Sequence, residues 1–269
     1  MRFIPIILAG LVAWALMLCT HAVSAEPLIE RTYDISNISK MDISSPGTLN
    51  IELADKEGLT VIAAKSVHEK LTIEGNGETL VVDYNAPGIM GWFAEKKASN
   101  IANKTQYRLQ VTSLTEYKAN MSVSALINNK LITPALYIAL AGAAELKMAD
   151  LEVDEKLEMR LAGASVVKID QFKGKTLESY SAGASDVTIS GSVDHQSLHL
   201  SGASNHYAKH LHSKTCDIRA SGASNADTWV SSKISGGLSG ASNLRYYGNP
   251  KRELNMSGAS DIHQLGERP

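Results

Sequence analysis

The sequence is short of cysteine, of aromatic residues and of net charge, and each shortage excludes something. Only two of its 269 residues are cysteine, Cys19 and Cys216. Cys19 falls beside the amino-terminal apolar run, so the rest of the chain holds one thiol and no internal disulfide framework. Aromatic residues make up 6% of the chain, which leaves aliphatic side chains to fill whatever core exists. The 26 Lys and Arg nearly balance the 28 Asp and Glu, so there is no basic surface for nucleic acid. One long apolar run exists, residues 3–18, and nothing after it is long enough to span a membrane as a helix.

That run reads as a targeting signal. Arg2 gives the charged start, and Val23-Ser24-Ala25 places small residues before Glu26. A lipid anchor at Cys19 is disfavoured, because Leu16-Met17-Leu18 lacks the small residues such processing needs. The expectation is a signal peptide over 1–25 and a mature chain over 26–269, about 244 residues long, exported to the periplasm or cell surface of a Gram-negative bacterium. Without Arg2 the balance is 25 basic to 28 acidic residues, a net charge of −3.

What the chain has in quantity is a short phrase, Gly-Ala-Ser. Gly142, Gly163, Gly183, Gly202, Gly222, Gly240 and Gly258 are separated by 21, 20, 19, 20, 18 and 18 residues. Self-similarity at one short period signals a solenoid with one structural unit per repeat. Before the glycines the sequence alternates, as in Leu136-Tyr137-Ile138-Ala139-Leu140 and Leu157-Glu158-Met159-Arg160-Leu161. Period-two alternation is the mark of a strand with one buried face. A leucine-rich repeat would need an asparagine-containing framework and a helical half, and neither is present. The fold predicted is all-β, a parallel β-helix (β-solenoid) with coils of about 18–21 residues.

Stacked coils place like residue on like. The glycines suit corners that need positive φ or a close neighbour. Alanine follows every one of the seven and is expected in a tight interior corner. Six copies then have serine, from Ser165 to Ser260, and the last five continue with Asp186, Asn205, Asn225, Asn243 or Asp261. These polar rows are expected to bond turn backbone and each other. A nucleophilic serine is disfavoured. The nucleophile elbow needs Gly-x-Ser-x-Gly, and the second glycine is missing.

The Ser-Gly-Ala-Ser corners, the stretch Leu244-Arg245-Tyr246-Tyr247-Gly248-Asn249-Pro250 and the following Met256-Ser257-Gly258-Ala259-Ser260 resemble the head GIN domain of autotransporter adhesins. The opening strands in "MDISSPGTLNIELADKEGLTVIAA" and "LTIEGNGETLVVDY" are similar in style. The likeness covers nearly all of residues 30–266. It implies an exported β-helix-like bacterial domain, with adhesion as the proposed role. This chain departs in using Ala143-Ala144-Glu145 at its first corner, and it shows no translocator barrel.

One domain is expected over 26–269, with an irregular β part over 26–116 and regular repeats over 117–266. Gly75-Asn76-Gly77 signals a hairpin. Trp92 and Phe93 lie in a loop or inserted flap about 20 residues long, which either covers the coil or offers binding anchors.

Outward rows are where chemistry would sit. Five residues before the glycines come Tyr137, Glu158, Glu178, Ser197, Asp217, Ser235 and Glu253; three before come Ala139, Arg160, Tyr180, His199, Arg219, Gly237 and Asn255. Glu158 and Glu178 fall on adjacent coils, near the separation of a retaining glycosidase pair. Arg160 beside them supports a plainer reading, a solvated salt-bridge face. His195, His199, His206, His210 and His212 cluster in sequence, but no cysteine or carboxylate joins them at ligand spacing. Cys216 takes an apolar-row position, six before Gly222.

No catalytic residue, metal or cofactor is therefore assigned. The functional expectation is a non-enzymatic binding protein of the envelope. It would contact glycan or protein through Tyr137, Tyr180 and His199, helped by Trp92 and Phe93. A polysaccharide-acting enzyme on the Glu158/Glu178 face is the alternative. A third reading is an architectural component that self-associates end to end.

Overall fold

The computed structural model describes residues 26–85 and 104–268. The expected signal segment, Cys19, Trp92 and Phe93 lie outside the described residues. In chain order the strands begin with β1 (Leu28–Tyr33), β2 (Lys40–Ser44), β3 (Gly47–Leu53) and β4 (Gly58–Ala64), followed by the short helix α1 (Lys65–His68). Next come β5 (Leu71–Asn76), β6 (Thr79–Tyr84), β7 (Gln106–Val111), β8 (Glu116–Asn120), β9 (Val123–Ile127) and β10 (Leu131–Leu140). The long coil strands are β11 (Glu145–Leu161), β12 (Val166–Ser181), β13 (Asp186–Leu200), β14 (Asn205–Ala220) and β15 (Asn225–Leu238). The chain closes with β16 (Asn243–Tyr247), β17 (Lys251–Met256) and β18 (Asp261–Gln264).

From β10 onward every strand pairs in parallel with its successor one coil later. The result is the β-solenoid that the repeat predicts, with about seven turns. One coil shows how sequence makes the shape. In β11, Leu146 and Met148 point inward, then Ala149-Asp150 breaks the alternation. Leu151 and Val153 point inward, Asp154-Glu155 breaks it again, and Leu157, Met159 and Leu161 resume. Each break turns the chain while keeping apolar side chains inside, so one coil has three straight runs. The ladder slips in register at the second break, between Val153 and Lys156. Inside, Leu136, Leu157 and Leu177 stack as one buried column. Burying each such side chain contributes roughly 2 kcal/mol.

The sharp corner is Gly-Ala-Ser. All seven glycines have φ between 72 and 79°. A Cβ on Gly202 would stand 2.6 Å from the carbonyl oxygen of Gly183, one coil below. The next residue's N–H donates to that same carbonyl, as in Ala203 to Gly183 at 2.7 Å and Ala223 to Gly202 at 2.7 Å. Glycine is thus required twice, by conformation and by the neighbouring backbone. The stack extends one coil beyond the glycines: Ala143 donates to Met121, whose φ is 67°.

The expected place of the alanines needs correcting. Ala164, Ala184, Ala203 and Ala223 are exposed, and the serines are the interior residues. Ser165, Ser185, Ser204, Ser224 and Ser242 are 0% exposed. Each hydroxyl donates to the carbonyl three residues earlier, Ser185 to Ala182 at 2.9 Å and Ser242 to Ser239 at 2.7 Å. A left-handed residue resets the in–out alternation of a strand, so the inward position moves one residue on. The following row forms a side-chain ladder as expected: Asn205 donates to Asp186 at 2.7 Å, Asn225 to Asn205 at 2.8 Å, and Asn243 to Asn225 at 2.9 Å.

The amino-terminal part is built differently. Strand β2 joins the parallel stack between β6 and β8, and β3 joins it between β7 and β9. Strand β4 runs antiparallel to β1 and β7. Strands β5 and β6 form the antiparallel hairpin that the Gly75-Asn76-Gly77 signal predicts. Tyr107 and Tyr117 are fully buried, and the Tyr107 hydroxyl bonds Ser45 at 2.6 Å. At the other end the last coil is bare. Met256 is 50% exposed, and Arg252 takes the place that Cys216 and Ile234 hold in the apolar column below it.

Candidate functional site

The two outward columns read from the sequence are continuous in the structure. Tyr137, Glu158, Glu178, Ser197, Asp217, Ser235 and Glu253 are in register on successive coils. So are Ala139, Arg160, Tyr180, His199, Arg219, Gly237 and Asn255. The second column continues downward through Lys118 to Asp42, because β8 pairs with both β10 and β2.

In the first column, charge is paired. The Lys156 ammonium lies 2.8 Å from Glu158 and 3.4 Å from Glu178, and Arg160 Nε lies 2.9 Å from the other oxygen of Glu158. The hydrogen bond from Lys156 is the main cause that holds the Glu158 carboxyl below its ordinary range, with burial opposing and Arg160 adding. A glycosidase general acid needs the opposite shift. The lysine also stands against both carboxylates, where a sugar would have to enter.

In the second column, rings and cations stack. Tyr180 and His199 lie with centroids 4.7 Å apart and an interplanar angle of 11°. Arg160 covers the Tyr180 ring at 4.6 Å. Both faces of the Tyr180 ring and one face of the His199 ring are therefore covered by neighbours along the stack. Edges, the phenol hydroxyl and imidazole nitrogens are what this wall offers, which suits hydrogen bonding better than ring-face packing. Tyr137 lies in the other column, under Lys118 at 5.8 Å. The structure thus brings Tyr180 and His199 together and leaves Tyr137 apart from them.

Beside this wall runs a groove of about 1010 Å³. Its floor is the row just before the corner glycines: Ala141, Ala162 and Ala182, then Ser201, Ser221, Ser239 and Ser257. These side chains point outward but are short, whereas Lys118, Arg160, Tyr180, His199 and Arg219 of the wall are long, and the height difference makes the channel; the wall is low at Ala139 and Gly237. It extends from Asp42 to Asn255, nine column positions and about 38 Å at the strand spacing of roughly 4.8 Å. Sequence reasoning missed Lys118 and Asp42, which enter through pairing between distant strands. The alternation of short and long outward residues near each glycine is the signal from which the floor could have been read.

The remaining candidates separate. The corner serines are buried donors, as described. His195 bonds Thr215 at 2.8 Å, and His212 meets Trp229 edge-on at 4.7 Å. His210 contacts Arg268. His206 is fully buried, and neither ring nitrogen has a partner; burial pushes its pKa down to about 4. Cys216 is buried in the apolar column, where burial, with a smaller push from Asp217, raises its thiol to about 12. Among the described residues no group of three or more His, Cys, Asp or Glu is placed to hold a metal ion. Among the same residues no helix is long and apolar enough to cross a membrane.

Comparison with solved structures shows the fold. A putative adhesin from Parabacteroides merdae is similar with a TM-score of 0.76 at 14% identity, covering 89% of this chain and 96% of its own. A putative lipid binding protein from Parabacteroides distasonis gives 0.77 at 17% identity, covering 89% and 97%. A putative adhesin from Bacteroides fragilis gives 0.63 at 18%, covering 88% and 97%. No curated protein matches the sequence. The family described as "Putative auto-transporter adhesin, head GIN domain" matches residues 37–170 and 150–250. Those segments span most of the molecule, so the chain belongs to the head GIN domain family.

Proposed function

We propose that the protein is a non-enzymatic, exported binding protein of the cell envelope, and that its groove takes an extended glycan. The observation that carries this is the groove itself. It sets a short floor residue, Ala or Ser, and one wall position at the same place on each coil, so it suits a ligand that also repeats along its length. Shallow multipoint contact would come from Tyr180, His199 and the serine hydroxyls of the floor, with Tyr137 as an outlying contact and Trp92 and Phe93 as further anchors. The adhesin family favours a binding role. The ion-paired state of Glu158 and Glu178 favours it over hydrolysis.

End-to-end stacking is less well supported. The last coil exposes its edge, yet it places Arg252 in the apolar column and Lys251 beside it. Inward-pointing and edge charges are how solenoids and sheets block edge pairing. A glycan array covering neutral and acidic chains tests the proposal. Binding by the wild-type protein that falls in Tyr180→Ala is expected. Capture of envelope protein with no glycan signal would overturn it.

A further inference from the structure

The charge of the groove points to a narrower class of ligand, on the reading that the groove binds glycan at all. We propose that the ligand is a linear polyanionic glycan, bearing carboxylate or sulfate groups along its chain. The charged side chains on the lining are Lys118, Arg160 and Arg219 against one carboxylate, Asp42. Glu116, Glu158 and Asp217 pair with those cations but do not line the groove.

The cations keep donors for a ligand. Glu158 engages Arg160 through Nε, and a guanidinium carries five N–H donors in a fork matched to carboxylate or sulfate. Arg219 approaches Asp217 only at 4.0 Å, and its side chain is 70% exposed. Asp42 stands at one end of the column, in register with Lys118 and remote from both arginines.

Spacing then selects a polymer over a single anion. Lys118 and Arg160 are two coils apart and Arg160 and Arg219 three, about 10 and 14 Å at the strand spacing. No single phosphate or carboxylate reaches two of them. An extended pyranose chain advances by nearly one coil spacing per sugar, so an anion on many sugars meets each cation in turn. The floor hydroxyl of Ser201 lies between Arg160 and Arg219, and those of Ser221 and Ser239 lie level with Arg219 and one coil beyond it, where they can hydrogen-bond the chain.

Calorimetric titration of the full chain separates the outcomes. The probes are an oligouronate, a sulfated oligosaccharide, a neutral glucan of equal length, and phosphatidylglycerol vesicles. Binding of at least one anionic glycan is expected. It should weaken at least tenfold in Arg160→Gln/Arg219→Gln, weaken with added salt, and stay unchanged in Arg252→Gln at the terminal coil. Should the double variant unfold, the exposed Arg219→Gln alone carries the test, with about a threefold loss. Equal binding of the neutral glucan, insensitive to both arginines, overturns the charge proposal and leaves the glycan groove standing. Binding of vesicles alone overturns both, as does no binding by any probe.

Discussion

The repeats and the amino-terminal third bury the same kinds of side chain by opposite means. In the repeats one solution recurs: a left-handed glycine, an N–H to the carbonyl below, and an inward serine. In the amino-terminal third β2 and β3 share the parallel stack, but several contacts around them are unlike one another. The Tyr107–Ser45 bond, the His68–Ile29 bond at 2.9 Å and the antiparallel strand β4 have no counterpart one coil later. The difference teaches where stability comes from. Repeats add nearest-neighbour interfaces of similar strength, whereas the cap depends on a few unlike contacts.

The sharpest test compares two left-handed glycines. Gly202 is crowded by the coil below; Gly77, at φ 62° in the hairpin, has nothing within 4 Å of an added Cβ. Gly202→Ala should cost about 3–5 kcal/mol, from conformation and collision together, and Gly77→Ala only about 1 kcal/mol. Urea unfolding measures both. Equal losses would mean that coil stacking does not set the corner.

Acid should act on the repeats through His206. Its folded pKa of about 4 lies below the ordinary histidine value of 6.5. Between those values the unfolded chain binds a proton that the folded chain refuses, so stability is full above pH 6.5 and falls as pH drops towards 4. The loss should approach about 3 kcal/mol. His206→Leu should flatten that slope in melts taken from pH 4 to 7; an unchanged slope would assign the acid sensitivity elsewhere.

Tyr107→Phe probes the cap. It removes the 2.6 Å bond and leaves Ser45 buried without that partner, for a loss of about 1–2 kcal/mol. Chemical denaturation should register it as a lower midpoint with an unchanged slope. The smallest effect joins the two regions. Met121 holds a corner at φ 67° without being glycine, so Met121→Gly should stabilise by about 1 kcal/mol. A destabilising result would show that the methionine side chain contributes packing that outweighs its backbone strain.

The repeats were legible because one physical demand is written seven times. Positive φ, a close backbone and a hydrogen-bonding interior together leave glycine followed by a small residue and serine as the common answer. Which of alanine and serine faces inward was misread, since alternation counted across a left-handed residue comes out shifted by one. The corner at Met121 was invisible to a search for glycine. The helix α1 has four residues, too few to show a period. The lower groove wall could not be foreseen, because Asp42 meets Lys118 through a pairing between strands 76 residues apart. Column membership of Tyr180 and His199 followed from counting back to the glycines; that their rings stack follows from it only when both coils are seen together.

The corner stack also governs how such a molecule tolerates change in length. Adding or deleting one residue within a straight run would throw its side chains to the wrong face as far as the next bend, where a slip in the ladder absorbs it, as coils of 18 to 21 residues already do; gaining or losing a whole winding would preserve each join. Duplication of one unit therefore lengthens the channel by a fixed step, so reach along a partner is set by copy number, in the manner of a ruler with interchangeable segments.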